Sequence, residues 1–121
     1  MEETLFNVDG TPQAYIVHND DKTIYLWNGT PVAYLSDNST IYGFNGKHLG
    51  WYEDGIVRNL NGKKNGFNKK SLPVYAKYEP FKSYKKYKPY KSYKQYSKYK
   101  PYYKISKSDI SLEFFLNQGK K

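Results

Sequence analysis

The stretch Ile24-Tyr-Leu-Trp-Asn-Gly-Thr-Pro-Val-Ala-Tyr-Leu35 reads as two short apolar strands around an Asn-Gly turn, and it is not unique in the chain. Leu5–Ile16, Ile41–Tyr52 and Val57–Asn68 align with it without gaps, their starts 19, 17 and 16 residues apart. Each block centres on Asp-Gly or Asn-Gly, with Gly10, Gly29, Gly46 and Gly62 closing the dipeptides. This is the strongest short-range hairpin signal, because a type I′ turn needs positive φ at both central residues. The links His18–Asp21, Ser36–Ser39 and Glu53–Gly55 carry turn residues of their own. The sequence therefore predicts an all-β domain of four sequential hairpins over residues 3–68, closing its edges as a pseudo-four-fold shallow ring or barrel.

Pairing across each turn sorts the side chains by face. One face places Leu5, Ile24, Ile41 and Val57 opposite the small residues Ala14, Ala33, Gly50 and Gly66. Small residues at one position in every repeat imply close backbone approach; room for a ligand is the alternative. The other face carries Val8, Trp27, Phe44 and Leu60 with Tyr15, Tyr34, Trp51 and Phe67. Of these, Tyr15, Trp27, Tyr34, Phe44, Trp51 and Phe67 form a candidate aromatic ring, as packing or as a binding platform. Two apolar faces on so short a chain imply a cover for each.

The second and third repeats, above all Gly29–Leu35 and Ile41–Trp51, carry a resemblance to the four-fold beta flower family of small bacterial proteins. It spans residues 5–68 and implies four hairpins about a pseudo-four-fold axis. It implies no reaction and no catalytic residues. The fourth repeat departs from the pattern, with Arg58 at the aromatic position, Lys64 at the Pro/His position and Asn65 where Val32 and Leu49 stand.

From Tyr75 the chain counts in threes. Aromatics stand at every third position from Tyr75 to Tyr102, without a slip. A helix would walk such residues around its axis and a strand would alternate them, whereas polyproline II, with three residues per turn, holds them in one stripe. Pro80, Pro89 and Pro101 favour extended backbone. Residues 75–102 would then span roughly 85 Å at about 3.1 Å per residue, while a domain of 68 residues is only about 28 Å across. The low-complexity segment 69–104 must project, wrap, or lie across another copy.

Charge divides at the same place. Residues 1–68 carry five basic and eight acidic residues, a net of −3, and residues 69–121 carry 15 lysines and three acids, a net of +12. Three readings of the tail stay open: a disordered solvated segment, docking on the acidic hairpin domain or on a partner, or contact with a polyanion, either single-stranded nucleic acid or anionic lipid. The candidate binding residues are Tyr84, Lys85, Tyr87, Lys88, Tyr90, Lys91, Tyr93, Lys94, Tyr96, Tyr99 and Tyr102. No Arg and no nucleic-acid-binding signature occurs in this segment. In residues 105–121, Ser108–Gly119 reads as a two-turn helix with an apolar face of Leu112, Phe115 and Leu116. So short a helix needs a surface to dock on, its own domain or a protein partner.

The chain of 121 residues has no cysteine, which excludes disulfides, Cys-ligated zinc and thiol nucleophiles. Mean hydropathy is −0.92 and no run spans a bilayer. The acidic start Met1–Thr4 does not read as a secretory signal, so the expected location is cytoplasmic and the sequons at Asn28 and Asn38 are read as empty. Gly62-Lys-Lys lacks the spacing of a phosphate loop, and His18 and His48 have no spaced partner for metal or base. The expectation is a non-enzymatic binding or assembly module without cofactor or metal, self-association included. The alternative is a small barrel for an apolar ligand or lipid.

Overall fold

A computed structural model describes residues 2–121. Eight antiparallel strands follow in chain order: β1 Glu2–Asn7, β2 Pro12–Val17, β3 Thr23–Leu26, β4 Pro31–Ser36, β5 Thr40–Gly43, β6 His48–Glu53, β7 Ile56–Asn59 and β8 Lys64–Phe67. They form a closed barrel with each strand beside its sequence neighbour and β8 beside β1. The protein is thus mostly β, with one short helix, α1 Leu112–Asn117, after the barrel. The expected pairs Leu5↔Ala14, Ile24↔Ala33, Ile41↔Gly50 and Val57↔Gly66 are all present.

The turns differ from the expected type. In each hairpin, or petal, the glycine alone has positive φ, from +83° to +90°. Gly10 N–H donates to Asn7 O at 2.9 Å and Asn7 N–H to Thr11 O at 2.8 Å, and the other three petals repeat this pair. This is a type I turn closed by a left-handed glycine bulge. The residue before the glycine does not take positive φ. In the first three petals its side chain caps the turn: Asp9, Asn28 and Asn45 each accept the backbone N–H two residues on at 3.0 Å. Type I′ pairs occur instead in the links, at Asp21-Lys22, Asp37-Asn38 and Asp54-Gly55.

A second bulge, at Leu5/Phe6 and its equivalents, shifts the register by one residue in every petal. The extra residues are Gln13, Val32, Leu49 and Asn65. Val32 and Leu49 join the barrel interior with Leu5, Ile24, Ile41 and Val57. That core also contains Leu112, Phe115 and Leu116, so α1 fills one mouth of the barrel. The apolar face of the helix falls where the sequence places it.

Gln13 and Asn65 explain the broken symmetry. Gln13 Oε1 accepts Glu113 N–H at 2.9 Å, and Asn65 Nδ2 donates to Ile110 O at 2.9 Å. Asn7 Oδ1 accepts Leu112 N–H and Ser111 Oγ accepts Phe114 N–H. The free amides of the first helical turn are all bonded, which a six-residue helix needs. The fourth petal keeps the common register, and its departures serve the segments that dock on it.

Closure between β1 and β8 rests on two residue pairs, Phe6↔Phe67 and Asn7↔Gly66. Beyond them Glu3 spans the gap. Its carboxylate accepts from Tyr52 OH at 2.6 Å and Asn68 Nδ2 at 2.9 Å, and lies 2.7 Å from His18 Nε2. Burial pushes this carboxyl up, but the three hydrogen bonds outweigh it and hold it below the ordinary range.

Candidate functional site

The outer wall of the barrel is aromatic. Tyr15 stacks on Tyr25 with centroids 5.6 Å apart and meets Trp27 edge-on at 5.9 Å. Tyr34 lies on Tyr42 at 6.3 Å and against Phe44 at 5.7 Å. Trp51 meets His48 edge-on at 4.8 Å. All six ring residues named from the sequence therefore lie on this wall or, for Phe67, at the β1–β8 seam, with Phe67 buried. Tyr25, Tyr42 and His48 join them.

Residues 75–104 form a belt over this wall, extended and free of helix or strand. Its attachment has a period of nine residues. The amides of Lys77, Lys86, Gln95 and Lys104 donate to the carbonyls of Gly10, Gly29, Gly46 and Gly62 at 2.8–3.1 Å. One bond falls on each petal tip, in order, so the belt runs round the barrel. The carbonyls of Tyr75, Tyr84, Tyr93 and Tyr102 press on the same four glycines so closely that a Cβ there would collide with them. The turn glycines thus serve both the positive φ and the belt. Ser83 and Ser92 add bonds to Trp27 O and Phe44 O.

Three residues per turn give the belt three faces. The third triplet position supplies the amides just described. The second points inward to the acidic domain. Lys82 and Lys85 reach Glu2 at 2.6 and 2.8 Å, Lys88 reaches Asp20 at 2.6 Å and Lys100 reaches Glu53 at 2.6 Å. Hydrogen bonds from these ammoniums hold Glu2, Asp20 and Glu53 below the usual carboxylate range. Lys82 and Lys91 also sit 4.5 and 4.1 Å above the Tyr15 and Tyr34 rings.

The first position points out. Every aromatic from Tyr75 to Tyr102 at this position is at least 83% exposed. This separates residues that the sequence groups together. Tyr84, Tyr87, Tyr90, Tyr93, Tyr96, Tyr99 and Tyr102 share an outward stripe, whereas Lys85, Lys88, Lys91 and Lys94 are turned to the barrel. Lys91 faces Asp21 at 3.9 Å and Lys94 donates to Ser36 Oγ at 3.0 Å. Lys86, Lys98 and Lys104, at third positions, are exposed and have no acidic partner among the described residues.

The family is decided by the whole chain. The sequence model described as "4-fold beta flower protein" matches residues 3–116. The chain belongs to that family. The match runs past the four petals and through the belt into α1, so the flower includes its girdle and plug as well as its hairpins. No curated protein and no solved structure matches the chain.

Two residues of the flower escape a sequence reading. Arg58, at an aromatic position, donates from Nη1 to Gly62 O and Lys104 O, both at 2.8 Å, and stacks on Tyr103 at 4.2 Å. It ties down the end of the belt. His48, in the position of Pro12 and Pro31, is buried with Nε2 3.1 Å from Gly50 O, while Nδ1 accepts Lys98 N–H at 3.0 Å. The signal for Arg58 is a charged residue where the other repeats have Phe6, Tyr25 and Tyr42, and for His48 a polar residue where two repeats have Pro and the fourth has Lys64. Among the described residues no His, Asp and Glu cluster is placed to hold a metal. Among the described residues no helix is long and apolar enough to cross a membrane.

Proposed function

We propose that this flower is a non-enzymatic binding module that presents its belt to an extended polyanion. The observation that carries the reading is the outward stripe of aromatics on a backbone anchored at all four petals. Exposed aromatic surface of this extent, rimmed by polar residues, is the mark of an interaction site. The domain acids Glu2, Asp20 and Glu53 are already engaged by belt lysines, so they do not compete for Lys86, Lys98 and Lys104, which stand beside the tyrosines in the sequence. The barrel interior offers less to the rival reading of an apolar-ligand carrier, since Leu112, Phe115 and Leu116 occupy the mouth such a ligand would use. An open cleft of about 490 Å³ between the links, lined by His18, Asp21, Lys22, Asp37 and Lys91 among others, is polar.

Retention of the full-length protein on immobilised heparin and on phosphatidylserine vesicles at low salt tests the reading. Retention of the wild type, reduced in the triple variant Lys86→Gln, Lys98→Gln, Lys104→Gln, supports it. Failure to bind either matrix or a single-stranded oligonucleotide overturns it.

A further inference from the structure

We infer that the polyanion is a single-stranded nucleic acid, wound along the belt with its bases against the tyrosine rings. This rests on the belt being the anion-facing surface, and it follows from four features of that surface.

The rings are held apart. Three residues of extended backbone advance about 9 Å, and the bonds to Gly10, Gly29, Gly46 and Gly62 keep the belt from contracting. No ring contact joins neighbouring outward aromatics among the described residues. Each keeps a face open to a flat stacking partner. Planar bases are such partners, and base–aromatic stacking tolerates any sequence because every base has a π-face. A sulfated or phosphorylated sugar chain has no equivalent group.

The surface is convex. The belt meets the four petals in order around a closed barrel, over a path of roughly 85 Å at about 3.1 Å per residue. Duplex DNA has a persistence length of about 150 bp and cannot follow such a path cheaply. A bilayer surface, being flat on this scale, touches only one arc of it. A single strand bends freely enough to touch ring after ring.

The free cations are few and spaced. Most second-position lysines are committed to Glu2, Asp20, Asp21 and Glu53. Lys86, Lys98 and Lys104 remain, and the long exposed pairs Lys77–Asp9 at 3.7 Å and Lys91–Asp21 at 3.9 Å hold their lysines least. Phosphate contacts from three or four lysines give a slope of log affinity against log salt of about −2 to −3 for a single strand. A belt using all its lysines would give a much steeper slope.

The preference is also non-specific. No Arg lies in the belt to grip a base edge, and tyrosine at each first position but one offers the same ring to every base.

The test uses the full-length protein and fluorescently labelled oligothymidylate, with a duplex, heparin and phosphatidylserine vesicles as competitors, across a salt series. The expected result is tighter binding of oligothymidylate than of duplex, with a slope of about −2 to −3. Changing Tyr84, Tyr87, Tyr90 and Tyr93 together to Ser should weaken oligothymidylate binding at least tenfold and leave the melting temperature unchanged, since these side chains touch solvent. Retained binding in that variant, duplex bound as well as single strand, or heparin or vesicles displacing the strand at equal charge overturns the inference while leaving a polyanion-binding belt intact. Absence of binding to every polyanion removes both.

Discussion

The backbone amide of Lys98 donates to Nδ1 of His48 at 3.0 Å, so the belt hangs on one tautomer of a buried imidazole. With Nδ1 accepting, the proton sits on Nε2 and faces Gly50 O at 3.1 Å. A second proton at Nδ1 would place two donors face to face. Burial pushes the His48 pKa below its ordinary value of 6.5; the hydrogen bond to Gly50 O offsets part of this, and the Lys98 ammonium adds a lesser downward push.

The sign of the pH dependence follows. In the unfolded chain His48 takes up its proton near pH 6.5, and in the folded chain it does so lower. Its contribution is therefore complete above about pH 6.5 and declines as pH falls below it. A melting-temperature series on wild type and His48→Phe should show the wild type losing more of its stability between pH 7 and pH 5.5. Parallel curves would refute the linkage.

Gly29→Ala and Gly46→Ala should each release the belt locally. Positive φ costs an alanine roughly 1–2 kcal/mol, and the added Cβ meets Tyr84 O or Tyr93 O. Limited trypsin digestion should cut the variants faster at Lys85 and Lys86, or at Lys94, while the barrel fragment stays intact. Unchanged belt cleavage would show that the glycines serve the turns alone.

Lys82, Lys85, Lys88 and Lys100 pair with carboxylates held below their ordinary range, which fixes a second pH window. The stabilisation is present above about pH 4.5 and is lost as pH falls through the lower folded values. Salt acts in the same direction, because these pairs are partly exposed and screened within about 3 Å at 1 M. Glu2→Gln should accelerate belt proteolysis at low salt and make little difference at high salt. An equal effect at both would assign Glu2 no electrostatic part.

Leu116 and Leu112 are fully buried in the barrel mouth. Leu116→Ala should cost about 2–5 kcal/mol, measured by urea unfolding. A cost below about 0.5 kcal/mol, the range of surface substitutions, would show that the helix is not part of the core.

The four petals were legible because burial and turn chemistry act locally. Leu5, Ile24, Ile41 and Val57 must face inward once their small partners Ala14, Ala33, Gly50 and Gly66 lie opposite. The turn type was not legible, because Asp9 or Asn28 before glycine can either adopt positive φ or cap the turn with its side chain. The triplet period announced three faces but not which face docks. The belt turns backbone amides and second-position lysines to the barrel and leaves the rings in water. A nine-residue period was present in Pro80/Pro89, Ser83/Ser92 and Lys82/Lys91/Lys100. It acquires meaning only when set against the spacing of the petals, which is a property of the closed barrel.

Amide hydrogen exchange on the full-length protein tests the central claim, that the belt is docked petal by petal with its tyrosines outward. Protection is expected at Lys77, Lys86, Gln95 and Lys104, nine residues apart, with the amides of Tyr84, Tyr93 and Tyr102 exchanging faster. Uniformly fast exchange from Tyr75 to Lys104 would contradict it.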